Sequence, residues 1–278
     1  MERCLLLSVV CKHIWQPLKF ERIRMLQIIG LFAISWLIVW LFDKHNLSVL
    51  GLMPTMERLK LCFYLFMVTA ISCSTAFILK MYFAKEQYTI NPKLTTSLFF
   101  SELWNNIRGV LTEELLCRGV LLYIFIKNWG SKWAIIISAI IFGLLHWLNN
   151  GVFGNIIQMS IVFVFTFGMG LLLAYSYAKT FSILVPFSIH LGWNLTQNFI
   201  FPDRPEGNHF FILAWQPPIV TVSYFVFFIM LLFPKISAIG IDYLIVKRQK
   251  QIEIPKWRMP AHNIRFCAIG NRRWCNHQ

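Results

Sequence analysis

IIQMSIVFVFTFGMGLLLAYSYA, from Ile156 to Ala178, contains no charged side chain. At about 1.5 Å of rise per residue, a helix of this length is longer than the roughly 30 Å hydrocarbon core of a bilayer. Similar apolar runs lie at Met25 to Phe42, Leu59 to Phe83, Ile107 to Ile126, Trp133 to Leu148, Phe181 to Phe201 and Phe210 to Phe233. They predict an all-α fold, a polytopic bundle of seven or eight transmembrane helices. The eighth candidate, Leu94 to Asn106, mixes Leu98, Phe99, Phe100 and Trp104 with Ser, Glu and Asn, a pattern that suits a half-depth or interfacial helix. Composition agrees with the runs: of 278 residues 57% are apolar and 14% charged, against about 25% charged in soluble domains. The mean hydropathy is +0.60. A soluble enzyme and a disordered chain are both excluded.

The net charge of +14 does not indicate nucleic acid, because Lys and Arg crowd the ends and short loops instead of forming a stripe on one surface. Arg3, Lys12, Lys19, Arg22 and Arg24 precede the first run, Lys127 and Lys132 bracket one loop, Lys179 sits in another, and Lys235, Lys247, Arg248 and Lys250 follow the last run. The positive-inside rule makes these places and both termini cytoplasmic, and puts Asn149 to Asn155 and Pro202 to His209 on the other side. The chain then divides into a basic cytoplasmic segment 1–24, N-terminal helices and the interfacial segment 25–106, a central helix core 107–201, a loop and last helix 202–234, and a basic cytoplasmic tail 235–278. The apolar stretch within Met1 to Cys11 is too short for a secretory signal, so the N-terminus is expected to be retained, with Met25 a second candidate start. Seven cysteines (Cys4, Cys11, Cys62, Cys73, Cys117, Cys267, Cys275) form no CxxC pair and are expected to be free thiols.

Three polar constellations interrupt the apolar runs. In LTEELLCRG, Leu111 to Gly119, each charge buried in a membrane costs roughly 2.5 to 3.5 kcal/mol. Glu114 and Arg118 stand four apart and can pair on one helix face, while Glu113, about 100° around the helix, points elsewhere. In FGLLH, Phe142 to His146, the face shared by Ala139, Gly143 and His146 admits a close helix neighbour. In HLGWN, His190 to Asn194, imidazole and amide lie one turn apart, beside the small pair Ser188 and Gly192. Counted from the Lys-rich side, Glu113, His146 and Asn194 lie about 20 Å deep and His190 about 15 Å, one slab of the membrane. A lone His or Asn in a span is more often helix glue, but independent glue residues have no reason to share a depth. A carboxylate with an imidazole can activate water, and a second imidazole with an amide can donate to an oxyanion.

Glu113, Glu114 and Arg118 as EExxxR, Phe142 and His146 as FxxxH, and His190 and Asn194 as HxxxN, in this order, resemble the CPBP family. That family comprises the type II CAAX prenyl proteases and the Abi proteins linked to bacteriocin processing and immunity. The resemblance runs from Leu111 to about Phe199, with Cys117 where the family often has Phe. It implies an intramembrane endopeptidase of the bacterial inner membrane, with Glu113 and His146 activating water and His190 and Asn194 holding the oxyanion. Glu114, Arg118 and Phe142 would support them. The substrate it implies is a membrane-associated peptide or protein, in bacteriocin processing or self-immunity; a prenylated CAAX substrate is not carried over.

The expected partners are membrane lipids and this substrate, with no nucleic acid. No bound metal or other cofactor is expected, since Asn194 is a poor zinc ligand and no helix carries two histidines at zincin spacing. The zinc alternative would use Glu113, His146 and His190 as ligands. The rival functions are a non-catalytic immunity or scaffold protein and a proton-coupled transporter, the latter disfavoured by the lack of inverted repeats. His13, His45, His209, His262 and His277 are isolated and read as solvated.

Overall fold

A computed structural model describes residues 29–41, 50–148, 152–201, 208–215 and 220–251. The basic segment 1–24, most of the tail, and His13, His45, His262, His277, Cys4, Cys11, Cys267 and Cys275 lie outside these. So does the apex of the loop between Asn149 and Asn155. The described chain is helical: α1 Ile29–Leu41, α2 Met56–Phe83, α3 Thr96–Arg118, α4 Val120–Trp129, α5 Ser131–Leu145, α6 Ile156–Thr180, α7 Leu184–Leu195 and α8 Tyr224–Lys247. The exception is a two-stranded antiparallel ribbon of β1 Tyr88–Ile90 and β2 Phe211–Leu213, with Thr89 opposite Ile212.

Helix starts follow local chemistry. Thr55, Thr95, Asn155 and Ser223 each accept a hydrogen bond from the backbone N–H three residues on, satisfying an orphan donor at the starts of α2, α3, α6 and α8. The α5 helix ends in a 3₁₀ turn, His146–Leu148, and α7 runs on into a π turn, Thr196–Ile200.

Four helices are long and apolar enough to span a membrane: Met56–Phe83, Ser131–Leu148, Ile156–Thr180 and Tyr224–Lys247. The described residues do not confirm seven or eight such spans. One reason is a break at Gly119. The run Ile107 to Ile126 is not one helix, and the segment Leu94 to Asn106 is not a separate interfacial one. A single α3 begins at Thr96 and ends at Arg118, and α4 starts afresh at Val120. Gly119 has ψ −129°, and a Cβ there would lie 2.2 Å from the Leu115 carbonyl oxygen. Only glycine fits that turn.

The C-terminal boundary also moves. Phe210 to Phe233 is not the last helix, because Phe211–Leu213 is strand and the helix runs from Tyr224 to Lys247 with Pro234 inside it. The tail therefore does not begin at residue 235. Lys235 and Asp242 interrupt the apolar pattern of this helix, yet the bundle accommodates both. Asp242 is fully buried, and the Thr69 hydroxyl of α2 reaches its Oδ2 at 2.5 Å.

The core that carries the polar motifs centres on Leu65, Phe142, Leu173, Val185, Ile189 and Val246, contributed by α2, α5, α6, α7 and α8. Here α2 and α7 come close enough that a Cβ on Gly192 would stand 2.6 Å from the Phe66 carbonyl oxygen and 3.2 Å from Thr69 Cβ. Alanine in a helix is ordinarily better than glycine by about 1 kcal/mol. At Gly192 overpacking should reverse the sign, at a cost of about 1 to 3 kcal/mol. Thermal unfolding in detergent should show Gly192→Ala melting below the wild type, whereas Gly240→Ala, with nothing within 4 Å of the new Cβ, should not.

Candidate active site

Glu114 sits at the end of α3 with its side chain wholly buried, and its Oε1 takes two charge-assisted partners. Arg118 Nη1 donates at 2.9 Å, as the i,i+4 spacing leads one to expect, and His190 Nδ1 of α7 lies at 2.7 Å. A carboxylate only accepts, so Nδ1 carries the hydrogen of this second bond. The tautomer of His190 follows: Nε2 is its outward nitrogen. Nε2 is 3.7 Å from Glu113 Oε2, an ion-pair distance if the ring is charged, and too long for a hydrogen bond.

The neighbouring carboxylate has the opposite surroundings. Glu113 is 44% exposed, against 0% for Glu114. Its Oε2 is nevertheless buried and has no hydrogen-bond partner among the described residues, while the rest of the side chain opens into a cavity of about 700 Å³. Two adjacent glutamates thus serve different ends because a helix turns about 100° between them.

His146 stands where α5 tightens into its 3₁₀ turn. Its Nδ1 lies 2.8 Å from the Phe142 carbonyl oxygen, one of the carbonyls left orphaned at the helix end. Nδ1–H therefore donates there, and Nε2 is left with a lone pair. The turn is tied down by the Trp147 indole, which donates to the Met159 carbonyl at 2.9 Å.

Phe142 joins the groups. Its ring lies under the Arg118 guanidinium at 4.0 Å, and meets His146 at 4.5 Å and His190 at 5.6 Å between centroids. One aromatic side chain thus sets the positions of three polar ones, by a cation–π contact and two edge contacts.

Glu113, Phe142, His146, His190 and Asn194 all line the 700 Å³ cavity, whereas Glu114 and Arg118 stand behind its wall. Asn194, one helical turn after His190, presents its amide at the same cavity. Among the described residues no three His, Cys, Asp or Glu side chains converge as a metal-ion site would require.

Sequence reasoning missed several wall residues. His209 is not solvated but 7% exposed; its Nδ1 lies 3.1 Å from the Asn198 carbonyl oxygen and it lines the cavity. Nothing local signals this, because the ribbon brings it there: Asn91 Nδ2 donates to the His209 carbonyl at 3.0 Å. Lys235, Trp193 and Gln197 also face the cavity. A cation inside an otherwise apolar run was a legible sign at Lys235, lost when the run was ended before it. His190 was assigned to an oxyanion site without its bond to Glu114, which links elements 76 residues apart.

Residues 95–196 match a family model described as type II CAAX prenyl endopeptidase Rce1-like. Over this segment the chain is similar to that family. The match supports the resemblance drawn from the three motifs, and it spans α3 to α7, the helices that carry them. It supports a protease in general class, and the four long apolar helices agree with an integral membrane protein. No curated protein and no solved structure matches the chain.

Within the Rce1-like segment, Arg118 should be a folding residue first. Arg118→Ala leaves the buried Glu114 with only His190 to compensate it, at a cost of about 3 to 5 kcal/mol. The membrane level and detergent melting temperature should both fall sharply. Glu114→Gln with Arg118→Met, which removes both charges together, should recover much of the loss.

Proposed function

We propose that this protein is an intramembrane endopeptidase that hydrolyses a peptide bond of a membrane-associated protein or peptide by activating water. The observation that most supports this is the placing of Glu113, His146, His190 and Asn194 around one cavity inside an Rce1-like helix bundle.

In this mechanism Glu113 is the general base. It is the carboxylate with access to the cavity, and an acceptor next to the attacking water is what the step requires. His146, its Nδ1 committed to a backbone carbonyl, offers Nε2 as a second acceptor for the same water. The tetrahedral intermediate develops charge on the former carbonyl oxygen. The Asn194 amide donates to it, and so does His190 Nε2–H when the ring is protonated. Glu114 holds the ring by Nδ1 throughout, in the manner of the carboxylate that orients a catalytic histidine. Proton return to the leaving amine falls to Glu113.

No resident metal takes part in the proposed mechanism, and the biological setting we propose is bacteriocin processing or self-immunity in a bacterial inner membrane, following the family resemblance. The decisive experiment uses the purified full chain in detergent with a quenched-fluorescent peptide. Glu113→Gln and His146→Ala should abolish turnover while leaving the melting temperature within a few degrees of wild type, because neither residue is part of the buried ion pair. Asn194→Ala should lower kcat by roughly 10²- to 10³-fold, the usual effect of losing one oxyanion donor. If Glu113→Gln keeps wild-type function in cells, a binding-only immunity or scaffold role, or a transport role, replaces the peptidase.

The metal question has its own measurement. Treatment with phenanthroline, followed by metal analysis, should leave turnover unchanged. Stoichiometric zinc whose removal stops the reaction, and whose return restores it, would make Glu113, His146 and His190 ligands instead of water-activating groups.

A further inference from the structure

The polar face of α7 does not stop at Asn194. His190, Asn194 and Asn198 recur at intervals of four, so they share one helix face, and all three line the 700 Å³ cavity. The chain carries this face onward through a change of winding: Thr196–Ile200 is a π turn, closed by the Phe201 N–H donating to the Thr196 carbonyl at 3.0 Å. Such turns are rare and gather at functional sites. A helix end leaves carbonyls without partners, and here the ribbon takes two of them. His209 Nδ1 donates to the Asn198 carbonyl at 3.1 Å, and the Phe210 N–H to the Phe199 carbonyl at 2.7 Å. The backbone at Asn198 is thus held by the ribbon while the residue stands exposed at the cavity. Gln197 beside it is already engaged, its Oε1 accepting from the Trp193 indole at 2.6 Å.

A peptide bond inside a helix is a poor target for water, because its carbonyl already accepts an intrahelical bond. A chain opened for attack is extended, and each N–H and C=O freed in this way costs several kcal/mol where water is scarce. The cavity has to supply partners for them. From α6 and α8 it receives chiefly Ile161, Val162, Phe165, Met169, Leu231 and Ile239, whose side chains offer none. The α7 face does. Four residues of helix advance about 6 Å, close to the roughly 6.6 Å after which an extended chain turns its backbone to the same side again. Asn194 and Asn198 therefore match alternate residues of an extended peptide. A primary amide holds both donors and an acceptor, so Asn198 can meet either group of a peptide unit.

We propose that Asn198 forms a subsite for the main chain of the substrate, its side-chain amide hydrogen-bonding the backbone two residues from the bond whose carbonyl Asn194 faces. The proposal rests on the peptidase reading above and deepens it: the substrate is an apolar segment held extended along α7 and its π turn, and this subsite recognises it by its backbone and not by a side chain.

An ester scan tests this. In a short fluorescent apolar peptide each backbone N–H in turn is replaced by an ester oxygen, which removes a donor and weakens the adjoining acceptor. Binding is measured to full-length Glu113→Gln protein in detergent, which should bind without cleaving, and to the same protein also carrying Asn198→Leu, a change that keeps the size of the side chain and removes its hydrogen bonds. One ester should weaken binding to the parent about fivefold or more, in line with the loss of one buried hydrogen bond. The same ester should cost less than about twofold in the protein with Asn198→Leu. Cleavage of the unmodified peptide by wild-type protein, located by mass spectrometry, should put that ester two residues from the cut. The proposal is overturned if the peptides bind alike or not at all, or if the sensitive position lies elsewhere relative to the cut. It is also overturned if Asn198→Leu weakens every peptide equally and leaves the ester penalty intact, as a purely structural role would. Coupling between Asn198 and one ester without any cleavage would sink the peptidase reading and leave the backbone subsite standing.

Discussion

The contact on which the site depends is the double acceptance by Glu114 Oε1 of Arg118 Nη1 at 2.9 Å and His190 Nδ1 at 2.7 Å. All three side chains are buried, so a broken partner leaves a charge with little compensation. The contact ties α3 to α7 and also fixes which nitrogen of His190 faces the cavity. A buried ion pair is weak support for stability in itself, because desolvation offsets the attraction. Here it has a second result, since it turns an imidazole that could rotate into one with a single outward atom.

The same economy explains why two glutamates stand side by side. One helical step separates a carboxylate that is fully enclosed from one that is 44% exposed. The first holds the His190 ring by Nδ1 and the second lines the cavity. The break at Gly119 follows from the same packing: α3 stops directly after Arg118 and α4 leaves in a new direction. The guanidinium can then lie against Phe142 instead of continuing along an uninterrupted apolar rod.

Charges inside the last helix obey the logic of local compensation. Hydropathy treats Lys235 and Asp242 as reasons to end a membrane segment, yet α8 carries both. Asp242 is tied to Thr69, which packs beneath Gly192 between the two polar residues of α7. Lys235 rests on aromatic faces at the rim of the cavity. A helix can carry such groups when each meets a partner from a neighbouring helix, and a sequence window does not contain its neighbours.

What the sequence by itself determined about this protein is its helical, membrane-spanning class and the polar residues that meet at one cavity. Uncharged runs demand helices that satisfy their own backbone in lipid, and the spacings Glu114 to Arg118, Phe142 to His146 and His190 to Asn194 are single helical turns whose geometry needs no further information. Tertiary structure decided the rest. The helix break at Gly119 depends on a backbone turn that residue counting does not register. The apolar stretch around Phe210 packs on Phe199 instead of entering a helix, and it brings His209 to the cavity through a ribbon with a strand more than a hundred positions away. The bond from Glu114 to His190 joins helices 76 residues apart. Such contacts belong to the packing of one element on another, where a side chain's role is set by what faces it.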